Sequence, residues 1–261
     1  MKVSRLVVGR SGVSNGARVV PEESPIAFTY GRTTYAVMMA TPQDLEDFAV
    51  GFSLTEGVIT SPDEITEIEV VEHPKGVELR MTLCDDRDVA LMNRRRKLAG
   101  PVGCGLCGVE SLDAAITPVR HISSDIKVDR NTVFSALSRL GAHQKLNEET
   151  HAVHGAGFWP LRINDFHAVR EDVGRHNALD KLCGSLARAG RDGRDGFVVL
   201  TSRVSIEMVQ KSAAMKAAVV VAVSAPTALA IRTAEEAGIT LAAVARDDSF
   251  EVFSHAERIA S

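Results

Sequence analysis

Three apolar runs alternate with two helical patterns between Phe197 and Ala245, and no other feature of the chain limits its fold as much. Phe197–Thr201, Val219–Val223 and Thr240–Ala245 read as strands; Ile206–Ala217 and Thr227–Ala237 read as helices. Asp195-Gly196 and Gly238 punctuate the pattern. A strand–helix–strand–helix–strand order implies parallel strands joined by right-handed crossovers. Before it, Asn177 is placed to cap a helix through Ala178, Leu179, Leu182 and Leu186, ending at Gly190. The strand-to-helix loops carry Ser202-Arg203 and Ser224-Ala225-Pro226-Thr227. Free backbone N–H groups and a positive dipole end favour phosphate at such places, and simple Ser/Thr capping is the equally open alternative.

The first part of the chain is mixed. Ile26–Tyr30 and Thr33–Met39 flank Gly31-Arg32 as a hairpin. Thr41-Pro42 opens a helix with Leu45, Phe48, Ala49 and Phe52 at helical spacing and Gly57 at its end. Ile65–Val71 and Val77–Leu83 form a second strand pair across His73-Pro74-Lys75-Gly76. Glu110–Ile116 reads as a short helix. Ser124-Asp125 introduces another over Ile126–Gln144, with Val133, Leu137 and Leu140 on one face. The expectation is an α/β protein: a smaller mixed α+β domain over 1–125 and an α/β core over 126–261.

A chain of 261 residues, 45% apolar and 25% charged, can bury a real core. Its net charge of −4 argues against wholesale nucleic-acid binding, and the basic run Arg94-Arg95-Arg96-Lys97 reads as a solvated linker. The amino terminus lacks the apolar stretch of a signal peptide. The longest apolar run, Ala213–Ala222, is interrupted by Lys216 and falls short of the ~20 residues that span a bilayer. A soluble, cytoplasmic protein without a membrane partner is expected.

Four cysteines (Cys84, Cys104, Cys107 and Cys183) do not make a disulfide framework in a chain this long. Two of them sit in G-C-G-L-C-G, Gly103–Gly108. A structural zinc site needs four ligands, and this is the single C-x-x-C; His151 and His154 have no established geometry, so no metal is expected. A dithiol redox motif wants a rigid helix start after an aromatic, whereas here glycines 103, 105 and 108 loosen the backbone. A mobile thiol suits a sulfur carrier, which must meet a donor and an acceptor in turn.

Two further segments carry charge. Arg170–Lys181 (R-E-D-V-G-R-H-N-A-L-D-K) reads by itself as a solvated helix entry; a functional role needs a polyanion for Arg170, Arg175 and Lys181, or an acid among Glu171, Asp172 and Asp180. The tail of the last core strand, Ala243–Phe250, follows the carboxyl end of a parallel strand, where open α/β sheets bind ligands. Arg246 there suits a phosphate, and a plain turn before a strand over Phe250–Phe253 is the bland alternative.

Taken together, these segments resemble the formate dehydrogenase accessory sulfurtransferases of the FdhD type. The resemblance rests on Thr41–Gly57, Gly103–Gly108, Arg170–Lys181, Thr201–Lys211, Val223–Thr227 and Gly238–Leu241, in order over most of the chain. It implies a cytidine-deaminase-like core, three-layered and mainly parallel, with a smaller amino-terminal domain, used as a homodimer. It implies a sulfurtransferase that takes persulfide sulfur from a cysteine desulfurase. The sulfur goes to molybdenum bis(molybdopterin guanine dinucleotide), carried as cargo, before insertion into formate dehydrogenase. The persulfide cysteine maps to Cys104, with Cys107 as helper. The cofactor-binding stretch maps to Val244, Ala245, Arg246, Asp247, Asp248 and Ser249.

The chain departs from the family pattern at Thr150–Ala156, where T-G-G-x-H-A-A is usual, and at Ser202-Arg203, where a glycine usually intervenes. Around Arg246 it has Val244 and Asp247 in place of an aromatic and a glycine. The zinc deaminase signature, H-x-E with a later P-C-x-x-C, is absent, so deamination is not expected. A cofactor-binding chaperone without sulfur chemistry and a dithiol oxidoreductase are the alternative readings.

Overall fold

The computed structural model of the chain describes residues 1–84, 87 and 119–260. Cys104, Cys107, the basic run at 94–97 and the expected helix over 110–116 lie outside them. Strands β1 (Lys2–Gly9) and β2 (Gly12–Val19) form a separate hairpin. Strands β3 (Ser24–Tyr30), β4 (Thr33–Ala40), β5 (Ile65–His73) and β6 (Gly76–Leu83) form a four-stranded sheet in the order β4-β3-β6-β5. Gly31, at φ 60°, supplies the left-handed turn that the expected hairpin needs.

Helix α1 (Leu45–Thr55) covers the inner face of this sheet. Phe52 stacks on Phe28 with ring centroids 4.0 Å apart, and Phe48 meets Phe28 edge-on at 4.9 Å. The helix starts later than Thr41-Pro42 suggests. Thr41 is held in the loop instead: its N–H donates to Asp172 Oδ2 at 3.0 Å and its Oγ1 accepts from Val173 N at 3.2 Å.

The larger sheet has the order β13-β12-β11-β10-β8-β9. Its strands are β8 (His154–Pro160), β9 (Ala168–Asp172), β10 (Gly196–Leu200), β11 (Val219–Ala222), β12 (Thr240–Ala243) and β13 (Glu251–Ser254). The expected parallel trio β10-β11-β12 is its centre, but β8, β9 and β13 all pair antiparallel. The sheet is therefore mixed rather than mainly parallel. The antiparallel pair β8-β9 escaped the sequence reading because glycine, histidine and charge dilute its apolar alternation.

Helices lie on both faces. Helices α4 (Arg175–Arg188), α5 (Ile206–Ala214) and α6 (Ala228–Ala237) enclose one core with Phe158, Val198, Val220 and Leu241. Helix α2 (Arg130–His143) packs Val133, Ala136 and Leu140 on the other side against Trp159, Phe197 and Val199. Between α2 and β8 lies the short helix α3 (Lys145–Thr150).

Two further helix starts differ from expectation. Helix α2 is capped by Asp129, which accepts from Asn131 N at 2.8 Å, because Val128–Asp129 is a strand, β7, paired with the last strand β14 (Ile259–Ala260). Such a long-range pairing leaves no local sequence signal. Helix α4 begins after Gly174, and Asn177 is buried inside it rather than capping it.

Candidate functional site

Strands β9 to β12 leave the larger sheet along one edge. β9 runs antiparallel to β8, which runs antiparallel to β10, so β9 points the same way as the parallel trio. Backbone hydrogen bonds stitch the loops at this edge together. Thr227 N–H donates to Val204 O at 2.9 Å, and Val244 N–H donates to Ser224 O at 3.2 Å. Arg246 Nη1 donates to Val223 O at 2.7 Å. The Ser202, Ser224 and Val244–Ser249 loops thus share one rim.

Within that rim the tail is unevenly disposed. Ala245 is buried and Arg246 through Ser249 are exposed. Val244 adopts φ 54°, a strained conformation for a β-branched residue. Arg246 N–H closes a turn on Ser249 O at 2.8 Å, and Arg246 Nη1 also donates to Ala245 O at 2.8 Å. Asp248 and Ser249 face an open groove of about 630 Å³ on the α2 side, with Arg130 and Phe134 opposite.

The sharper chemistry lies at the start of α4. Arg175 and His176 are its first two residues and are half-buried. Arg175 Nε and His176 Nε2 are buried atoms without a hydrogen-bond partner among the described residues. A Cβ on Gly174 would sit 2.7 Å from Asn177 Nδ2, so any larger residue would have to displace the Asn177 amide. His154, opening β8, is also half-buried. Burial, then the charges of Arg175 and Arg203, lowers its pKa. For His176, burial and then Arg175 bring the pKa down to about 4. Both imidazoles are therefore neutral near pH 7. Glu207 Oε2 lies 3.7 Å from His176 Nε2. Burial pushes the Glu207 carboxyl up, but bonds from Ser205 and its own backbone N–H and the nearby cations hold it below the usual range.

Two guanidinium groups, two neutral imidazoles and the positive end of a 14-residue helix converge here. Such an arrangement suits an anion with several oxygens, because guanidinium matches phosphate geometry and the helix end adds N–H groups.

Beneath the rim lies a buried ion network, and it corrects the solvated-entry reading of Arg170–Lys181. Lys181 and Asp172 are both fully buried and meet at 2.7 Å. Lys181 Nζ also donates to Thr41 O at 2.8 Å. Asp172 Oδ1 accepts from Gly174 N at 2.8 Å and from Asn177 Nδ2 at 2.9 Å, fixing the helix start. Asn177 Nδ2 also donates to Met39 O at 2.9 Å, which ties the amino-terminal sheet to the core. One turn away, Lys211 Nζ bonds Asp180 Oδ1 at 2.9 Å, and Thr55 Oγ1 donates to the same oxygen at 2.6 Å. At the far end, Asp47 binds Arg170 Nη2 and Arg188 Nη1, each at 2.7 Å.

These contacts need a close helix crossing. A Cβ on Gly51 would fall 1.7 Å from Asp180 O, and one on Gly184 would fall 1.8 Å from Asp47 O. The network therefore divides the three cations named in the sequence. Arg170 and Lys181 are structural, while Arg175 faces the rim. Nothing local in the sequence makes His154 and Arg203 neighbours of Arg175; the one signal is their position beside β-strand ends. No group of three His, Cys, Asp or Glu side chains with metal-binding geometry occurs among the described residues, and no helix among them is long and apolar enough to cross a membrane.

Comparison with known proteins gives a consistent picture. The model of the FdhD/NarQ family matches residues 21–260. A protein of Agrobacterium fabrum named sulfur carrier protein FdhD is 53% identical over 259 residues, covering 99% of this chain and 95% of the relative. A protein of the same name from Brucella abortus is 50% identical over 258 residues, covering 98% and 96%. A crystal structure described as that of a formate dehydrogenase accessory protein from Desulfotalea psychrophila superposes with a TM-score of 0.77 at 26% identity, covering 100% of this chain and 99% of that one.

Proposed function

The chain belongs to the FdhD/NarQ family, and from that premise we propose that it is a sulfur carrier serving formate dehydrogenase. In this reading Cys104 accepts sulfur as a persulfide from a cysteine desulfurase, with Cys107 assisting. The sulfur then passes to molybdenum bis(molybdopterin guanine dinucleotide), which is the cargo and acceptor, before that cofactor enters formate dehydrogenase. The names of the relatives support the carrier role and the client. The domain division near residue 125, a cytidine-deaminase-like core, a cytoplasmic location and a homodimer belong to the same proposal. Helices on both faces of one mixed sheet agree with such a core.

The observation that carries the cargo assignment is the orphaned Arg175 Nε beside neutral His154 and His176 at the carboxyl-end rim. A cofactor with guanine dinucleotide arms brings pyrophosphate oxygens, which suit Arg175, Arg203 and the start of α4. Val244–Ser249 would hold the remainder of the nucleotide through backbone groups, since Asp247 and Asp248 repel phosphate. The chain's own residues have plain tasks: the guanidinium groups orient the phosphates and Gly174 lets the helix end approach. His176 stays neutral beside Glu207 and offers the cargo hydrogen bonds rather than charge.

The test is client activation in cells. Cys104→Ala and the Cys104→Ala/Cys107→Ala double variant are expected to leave formate dehydrogenase inactive. Full activation by the double variant would establish the cofactor chaperone instead. Calorimetry with guanosine diphosphate as probe examines the rim: Arg175→Ala/Arg203→Ala should weaken binding at least about tenfold, since hydrogen bonds to charged groups contribute ~1.5–3 kcal/mol each.

A further inference from the structure

The amino-terminal hairpin stands away from the body of the molecule. β1 and β2 pair from Lys2–Val19 to Gly9–Gly12, yet only Val3 and Val19 are even partly covered. A lone two-stranded ribbon is marginal in water. Its register puts Leu6, Val8, Val13, Ala17 and Val19 on one face, and Leu6, Val8 and Val13 are 62%, 74% and 63% exposed. Residues 1–19 carry Lys2, Arg5, Arg10 and Arg18 and no acidic side chain. Arg18 Nη2 donates to Thr150 O at 3.1 Å and tethers the base of the hairpin. The stretch lies outside residues 21–260, which the family model matches.

The outer face of the four-stranded sheet has the complementary character. α1 covers the inner face, and no described element covers the outer one. The pairings Pro25–Met39 and Ala27–Val37 place an apolar stripe there, with Val37 56% and Met39 49% exposed. β4 is also an edge strand with no lysine or proline to discourage pairing. Across the same face β5 presents Glu67 and Glu69, and residues 62–73 hold five acidic side chains and no Lys or Arg. Arg80 offsets part of this charge through Glu78 and Glu69.

We infer that the hairpin of one copy lies across the outer face of the four-stranded sheet of a second copy. Its apolar face covers Val37 and Met39, and Lys2, which the register places on that same face, approaches Glu67 and Glu69, while Arg5 and Arg18 lie on the opposite face. Apolar surface meets apolar surface and basic meets acidic, and the exchange is reciprocal, which closes a two-fold dimer. This inference rests on the homodimer within the proposed function and specifies what holds it together.

Sedimentation of the full chain, with far-UV circular dichroism as a folding control, tests it. The wild type should be a dimer. Leu6→Asp/Val8→Asp, both on exposed positions, should raise the dimer dissociation constant at least about tenfold with an unchanged spectrum. Glu67→Lys/Glu69→Lys should weaken the dimer as well, and Lys2→Glu in the same chain should restore part of the loss. A benzoylphenylalanine at Val8 in one tagged copy should crosslink to residues 25–39 of a differently tagged copy. A monomeric wild type would overturn this inference and the homodimer together. An unchanged dissociation constant for Leu6→Asp/Val8→Asp, or crosslinks confined to the same copy, would overturn the arm exchange alone.

Discussion

Replacing Lys181 by Met removes the cation from the most deeply buried ion pair while keeping the side-chain volume. Asp172 would keep three N–H donors, from Thr41 at 3.0 Å, Gly174 at 2.8 Å and Asn177 at 2.9 Å. It would lose the ammonium at 2.7 Å, and Thr41 O would lose one of its two donors, keeping Gln43 N–H at 2.8 Å. Breaking a buried pair in this way costs about 3–5 kcal/mol, and the surviving donors place Lys181→Met near the lower bound. For a chain of this size that is a fall in melting temperature of about 6–12 °C, at ~2–4 °C per kcal/mol. Urea unfolding at pH 7 of the wild type, Lys181→Met, Asp172→Asn and the double variant measures the cost and its coupling. The double variant should be more stable than the sum of the single losses implies, because no unpaired charge remains. A loss below ~1 kcal/mol for Lys181→Met, or coupling below that size, would refute the claim that this pair anchors the start of α4.

Other outcomes follow from the same geometry. His176 titrates near 4 when folded, against about 6.5 in an unfolded chain, so the unfolded state binds more protons between these values. Stability should therefore rise from pH 4 to pH 6.5 by up to about 3 kcal/mol, and His176→Gln should flatten that part of the pH profile relative to wild type in denaturant titrations. Gly184→Ala places a Cβ 1.8 Å from Asp47 O, so α1 and α4 must separate; a loss of about 3 kcal/mol is expected from urea unfolding. Gly141→Ala, in α2 with open space around it, should instead gain about 0.5–1 kcal/mol in the same assay.

Much of the central architecture was legible because it is written in local periodicity. The trio β10-β11-β12 and helices α5 and α6 follow apolar runs broken by glycine, and the Gly31 hairpin follows a two-residue turn. The features missed are those made by distant residues. β7 exists because the last strand, some 130 positions later, pairs with it. Helix α1 starts late because Asp172 and Val173 hold Thr41.

The candidate site divides in the same way. Strand order alone predicts that the Ser202, Ser224 and Val244–Ser249 loops share an edge. The separate fates of Arg170, Arg175 and Lys181 could not be read from a charged stretch, because burial of Lys181 and Asp172 depends on α1 crossing α4 at Gly51 and Gly184. A run of charges looks solvated until a second element is laid over it.

The central claim is that Cys104 carries sulfur. Mass spectrometry of the chain after incubation with a cysteine desulfurase and cysteine addresses it most directly. The account predicts the mass of an added sulfur atom on the peptide containing Cys104 and Cys107, removed by a thiol reductant and absent from the Cys104→Ala/Cys107→Ala variant. Loading of that variant to the wild-type level, or no added sulfur on the wild type, would contradict it.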